Sequence, residues 1–365
     1  MRTVFSWILG LGLLAGAGSA WALPRFAAQY GQSCHLCHVN PAGGGLRTSY
    51  GSQFFTGTEL AAKGLAQEQL EELSPALSKR VEIGLDFRGM FLQESQSSDP
   101  ATALAKHERS SFFLMQGDIY LGLKLHEKVR VVLEKSLNGT GEGYGLLSVL
   151  PWHGSVKAGR FLPNYGWNWV DHETAARRAL GYGAGQLDTG VEVELHPDHY
   201  SLALAVGNDN AGPLDGDPGK ALTLRVLWQH EALGGALSLG ANARVSDHAP
   251  APSRTLAGLL AGFSRGPLTW TAELNRFESA DVAGLAFSQE WAWKLRPGLD
   301  LLYVHDFYDP DLDLKTGLDL RQRAGLDWIP VPGVALQPAL SWLRHEEQSA
   351  ADDWLQADLQ LYLFL

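Results

Sequence analysis

Beyond residue 80 the chain is written with a period of two. Val81, Ile83, Leu85, Phe87 and Phe91 alternate with Glu82, Asp86 and Arg88. Phe113, Ile119, Leu121, Leu123 and Leu125 hold odd positions, with Gln116, Asp118, Tyr120 and Lys124 on even ones. The C-terminal stretch is the most regular: Leu355, Ala357, Leu359, Leu361, Leu363 and Leu365 alternate with Gln356, Asp358 and Gln360. Successive strand residues point to opposite faces, so each segment has one apolar and one polar face. A sandwich would alternate too. Two features favour a membrane barrel. The segments run about 9–14 residues, the length of a tilted transmembrane strand. Their connections alternate between short and long, as periplasmic turns and external loops do.

Short connections fall near His126-Glu127, Pro151 to Gly154, Pro197-Asp198, Glu231 to Gly234, Arg265 to Pro267, Arg296 to Gly298 and Pro330 to Pro332. Longer ones fall at 95–110, 163–186, 208–219, 247–254 and 309–315, with smaller members near 139–143, 278–282 and 345–352. Residues 81–365 are therefore expected to form an all-β, porin-like transmembrane barrel of about 16 antiparallel strands, both ends periplasmic. Leu256 to Phe263 is a weak strand in this reading. Trp152, Trp167, Trp169, Trp228, Trp270, Trp291, Trp293, Trp328 and Trp342 fall near segment ends, where interfacial girdles place aromatics. The longest loop, Pro163 to Gly185, carries Trp167, Trp169, Asp171, His172, Glu173, Arg177 and Arg178. It either enters the lumen or stays outside in solvent.

The first 80 residues follow other rules. Arg2, an apolar run from Ile8 to Ala17 and Ala20-Trp21-Ala22 read as a signal peptide, residues 1–22, cleaved to start the mature chain at Leu23. The run is short for a retained anchor, which needs about 20 residues. Thr58 reads as an N-cap, with Glu59 in the first turn of a helix reaching Lys79 and broken near Pro75.

Between these lies Cys34-His35-Leu36-Cys37-His38, and Cys34 and Cys37 are the chain's two cysteines. C-x-x-C-H is the pattern of c-type haem attachment. Two thiols add to two haem vinyl groups, and the histidine that follows gives the iron an imidazole. Such attachment occurs after export, in agreement with the signal peptide. A thioredoxin-like couple would need strand and helix patterning, where the sequence has Pro41-Ala42-Gly43-Gly44-Gly45. Half of a zinc site is the other alternative, with His35 and His38 completing a crowded set. Residues 23–80 are thus expected to be a small helical monohaem c-type segment, or plug, with Cys34 and Cys37 covalently bound and His38 axial. So short a segment buries little around a porphyrin, so lumen walls must cover it.

Charge removes one class. Forty acids against 29 basic residues leave a net charge of −11, the wrong sign for a nucleic-acid partner.

Pro24-Arg25-Phe26-Ala27, Gly31, the Cys34 to His38 motif, Pro41 and Tyr50-Gly51 resemble the N-terminus of the fused outer-membrane cytochrome–porins. The resemblance is sequence-specific over residues 23–55 and architectural over the barrel. Gly43-Gly44-Gly45-Leu46-Arg47 departs from the spacing of the iron-oxidising members, and the chain is short for them. The resemblance implies one haem c in the outer membrane of a Gram-negative bacterium. It implies electrons relayed between an extracellular donor or acceptor, Fe(II) in known members, and a periplasmic carrier. Met90 is a candidate sixth ligand because it shares the even, lumen-facing parity of its strand; Met115 has lipid-face parity. Asp209, Asp215, Asp217, Asp309, Asp311 and Asp313 are loop acids able to collect cations. Two other classes remain: a diffusion porin with a structural or sensory haem plug, and a soluble periplasmic β-rich cytochrome.

Overall fold

The computed structural model describes residues 25–30, 34–96, 108–137, 139, 141–169, 171, 173–182, 186–209, 215–216, 218–247, 252–314, 316–347 and 350–365. The expected signal peptide lies outside them, as do His172 and Asp217. Sixteen strands close into one barrel: β1 Val81–Gln96, β2 Glu108–His126, β3 Val129–Ser136, β4 Gly143–Leu147, β5 Ser155–Phe161, β6 Asp188–Leu195, β7 Tyr200–Gly207, β8 Ala221–Ala232, β9 Gly235–Ser246, β10 Arg254–Arg265, β11 Leu268–Ser279, β12 Val282–Arg296, β13 Leu299–Asp309, β14 Leu318–Val331, β15 Val334–Glu347 and β16 Ala350–Phe364. Each pairs antiparallel with its sequence neighbours. β1 meets β16, from Asp86 opposite Phe364 to Gln96 opposite Trp354, so no edge is left open. Every turn and loop expected from the alternation falls between two strands, and the weak segment at Leu256 is β10.

The barrel is inside-out relative to a water-soluble protein. Leu85, Ile119, Leu204, Leu222, Leu259, Leu340 and Leu359 are exposed on the outer wall. Glu82, Asp86, Arg88, Lys157, Glu192, Asn275 and Asp358 are buried on the inner one. That outer belt would be costly in water and is matched to hydrocarbon. Exposed Trp291, Trp293 and Trp328 lie toward the periplasmic ends of β12 and β14, and exposed Trp152 sits in a periplasmic turn. Trp167 and Trp169 depart from the girdle expectation: both are buried in the lumen, within the long loop.

Two further expectations change. β3 to β7 have 8, 5, 7, 8 and 8 residues, shorter than the pattern suggested. After β5 the chain leaves the wall early to enter the lumen. The helix expected from Glu59 to Lys79 does not form. A π-helix runs from Tyr50 to Leu60 and a separate 3-10 helix from Gln67 to Leu73. Thr58 lies inside the first, its hydroxyl donating to Phe54 O at 2.7 Å. The chain turns extended at Ala61 (ψ 152°) and doubles back, Leu65 N donating to Gly57 O. A Cβ on Gly57 would meet a Leu70 methyl at 2.7 Å, so the glycine permits this close return.

Candidate functional site

Cys34–Cys37 is one helical turn, closed by His38 N donating to Cys34 O at 2.9 Å. Val39 N then donates to Leu46 O at 2.8 Å, and the chain between reverses direction through Gly43, Gly44 and Gly45 at φ 88°, 76° and 64°. Three successive left-handed residues explain the glycine run. Gly51 is needed for another reason. A Cβ there would stand 2.2 Å from Cys37 O, so Tyr50-Gly51 belongs to the same local packing as the cysteines.

The peptide is fastened to the inner wall. Leu46, 1% exposed, enters a hollow left by Gly84 on β1 and Gly122 on β2, and a Cβ on Gly122 would lie 2.6 Å from it. Arg47 donates to Asp86 at 3.0 Å, to Tyr362 at 2.9 Å and to Leu365 O at 3.1 Å. Lys157 donates to Asn40 at 3.2 Å. Farther along, Ala62 N donates to Ile329 O at 2.8 Å. Arg25 pairs with Asp327, with Glu290 and Asp300 each at 3.9 Å. The segment therefore occupies the periplasmic end of the lumen.

Cys34, Cys37 and His38 face a cavity of about 980 Å³, whose wall includes Met90, Met115, Arg88, Asn168 and Trp169. This is at the upper end of small-molecule pockets, about 300–1,000 Å³. Met90 thus has the lumen orientation its parity suggested. Met115 does too, contrary to its parity. The register of β1 with β2 shifts between Arg88 opposite Gln116 and Gly89 opposite Leu114, leaving Met115 without a partner. A one-residue bulge reverses the alternation there, and Phe113 also lines the cavity. His35 leaves the cavity side and packs near His196 and His153, with ring centroids 4.9 and 6.0 Å away.

The three motif side chains are half-buried, and this shifts their protonation. Burial, then the charge of Arg47, lowers the His38 pKa to about 4, with Asp86 and the backbone of Gly44 and Gly45 pulling the other way. The ring is neutral at pH 7, the form that ligates a metal. Its Nδ1 is sealed from solvent without a hydrogen bond of ordinary geometry. Burial pushes the Cys34 thiol to about 12 and that of Cys37 to about 11. A thioredoxin-like couple needs the opposite shift. Among the described residues no group of three or more His, Cys, Asp or Glu is placed to hold a metal ion.

The described residues of the long loop, 162–169, 171, 173–182 and 186–187, fold into the lumen; for them the solvent alternative does not hold. Glu273 on β11, 1% exposed, is its latch. It accepts from Trp167 N at 2.8 Å, from Trp169 Nε1 at 3.1 Å and from Asn275 Nδ2 at 2.9 Å. Ala175 N donates to Asp306 at 3.1 Å, Ala176 N to Ser288 at 3.1 Å and Arg321 to Asp171 at 2.7 Å. Burial would raise the Asp171 pKa, but Arg321 and Arg323 outweigh it and hold the carboxyl well below its usual range. Nothing in the sequence pairs Glu273, Asp306 and Arg321 with this loop. The external loop acids are engaged locally: Asp209 with Arg244, Asp215 with Lys220, and Asp309 and Asp311 with amides of their own turn.

No family model and no curated protein matches the sequence. Solved structures match its shape. OprB of Pseudomonas putida superposes with TM-score 0.57 at 9% identity, over 85% of this chain and all of the other. OmpT of Vibrio cholerae gives 0.55 at 8%, over 78% and 97%. An anion-selective porin from Comamonas acidovorans gives 0.53 at 10%, over 78% and 99%. At such identities the likeness is one of fold: this chain has the 16-strand architecture of outer-membrane porins.

Proposed function

We propose that this protein is an outer-membrane barrel of a Gram-negative bacterium that carries one c-type haem in its lumen and relays electrons between an extracellular redox partner and a periplasmic carrier. The observation that supports this reading is the position of the Cys34 to His38 peptide. It lies inside a closed barrel, its two thiols and imidazole on the wall of one large cavity. Bound there, haem would supply a one-electron iron centre. Cys34 and Cys37 would hold it by thioether bonds, and neutral His38 would be its protein ligand. Met90 and Met115, on the neighbouring strands β1 and β2 lining the same cavity, would be the candidates for a second protein ligand. The glycine turn at 43–45 leaves room that side chains would fill. The N-terminal segment and the 162–187 loop narrow the lumen from its two ends and limit water.

The test is a pyridine haemochrome spectrum of protein made with the haem-attachment machinery, alongside Cys34→Ala/Cys37→Ala. A thioether-type spectrum in the first alone is expected, and its absence rejects the cofactor. Proteoliposomes enclosing an oxidant, given external Fe(II) or dithionite, then test the relay. Haem reduction without internal oxidant consumption rejects transfer across the membrane.

The porin-like fold favours a second reading, solute diffusion with the N-terminal segment as a plug. Liposome swelling that is fast and independent of bound haem would establish this reading in place of the first.

A further inference from the structure

Most arginines facing the lumen are matched to acids. Arg25 has Asp327, Arg47 has Asp86, Arg321 has Asp171 and Asp306, and Arg323 has Asp358. Arg177, in the buried helical turn Ala175–Arg178 of the inner loop, is held by backbone carbonyls instead, as are Arg225 and Arg254; of these three, Arg177 is the one on the cavity wall. It is 9% exposed and lines the cavity. Its Nε donates to Tyr182 O at 3.0 Å, and its Nη1 donates to Trp169 O. Those partners are neutral carbonyls, and among the described residues no carboxylate comes within ion-pair distance of it. Burial, and next the positive charge of Arg88 on β1, push its pKa down to about 10, and Asp171 and Glu273 offset this only in part. It remains a cation at pH 7. Arg88, its guanidinium 4.2 Å from the Tyr362 ring centroid, lines the same cavity. A buried guanidinium with no carboxylate at ion-pair distance is costly, and a bound anion is a natural remedy.

We propose that Arg177 forms an anion subsite in the lumen that takes a carboxylate, on the cavity wall that Arg88 also lines. The glycine turn that follows the cysteine motif meets the same inner loop: a Cβ on Gly44 would lie 3.9 Å from Asn168 Nδ2. Two sources present this group at this position. One is a small free carboxylate in the lumen; the other is a carboxylate edge of the haem. The first does not depend on the reading proposed above, whereas the second does.

Equilibrium dialysis of labelled propionate against Cys34→Ala/Cys37→Ala protein separates the cases. One saturable equivalent is expected, weakened at least about tenfold by Arg177→Gln and less by Arg177→Lys, which keeps the charge. Heat-modifiable gel mobility verifies that each variant barrel is folded. In haem-loaded protein, loss of propionate binding together with an Arg177→Gln shift of the haem propionate bands in resonance Raman assigns the site to the haem. Propionate binding unchanged by haem assigns it to a free anion. The proposal is overturned if the haem-free protein binds no propionate, or binds it equally well with Gln at 177. Failure of haem attachment leaves the dialysis result standing and rejects only the haem reading.

Discussion

The wall of this barrel and the material inside it are held by different physics. The wall is a closed ladder in which β1 to β16 satisfy one another's backbone groups, with apolar side chains to lipid and polar ones inward. The filling, the described residues of 25–63 and 162–187, is short helical turns joined by irregular backbone. Side-chain contacts hold it: Leu46 in its glycine hollow, Arg25 and Arg47 on acids, and the inner loop on Glu273, Asp306 and Arg321. Irregular chain is tolerated at membrane depth only where protein surrounds it. Single substitutions should therefore loosen the filling and leave the wall intact.

Glu273→Ala presses that contrast hardest. It orphans three donors, each worth about 1–3 kcal/mol when buried. Single-channel conductance should rise severalfold as the inner loop swings free, with the folded-barrel gel shift retained. An unfolded barrel would show that wall and filling are one cooperative unit. Leu46→Ala should come next, at about 2–5 kcal/mol for a fully buried leucine. Its readout is faster tryptic cleavage at Arg47 and Lys63 in membrane-embedded protein, and unchanged cleavage would mean that the glycine hollow is no anchor. Gly51→Ala is expected to cost about 1–3 kcal/mol by overpacking. Because the strain falls on Cys37, the yield of covalently haem-loaded protein should drop while barrel assembly is unaffected; full loading would separate Gly51 from the motif.

The smallest effect is acid-dependent. The folded pKa of Asp171 is depressed, so its contribution is complete above the ordinary carboxylate value of 3.8 and is lost as pH falls below it. Channel noise from the inner loop should therefore grow only below about pH 4. Asp171→Asn should bring that noise to neutral pH, and a quiet Asn variant would remove Arg321–Asp171 from the latch.

The same division governs what could be read from sequence. Period-two alternation and turn residues such as Pro197-Asp198 and Arg296 to Gly298 fix strands locally, which made the wall and its connections legible. Met115 was not, because one extra residue in β2 reverses parity without marking the sequence. Nor was the path through Thr58. Helix-forming residues continue past it, but Gly57 and Gly64 allow a close return that only tertiary contacts make favourable. The Cys34 to His38 motif stands out in the sequence by its pattern alone. Its position behind Leu46, Gly84 and Gly122 depends on residues far apart in the chain, as does the pairing of Glu273 with Trp167.

Arg47 spans the join between the first and last strands, holding Asp86 of β1 together with Tyr362 of β16 and the oxygen of Leu365. This staple imposes a schedule on biogenesis. It can set only when the two ends of the sheet have met, so the segment carrying Cys34 and Cys37 takes its final seat after the barrel has closed.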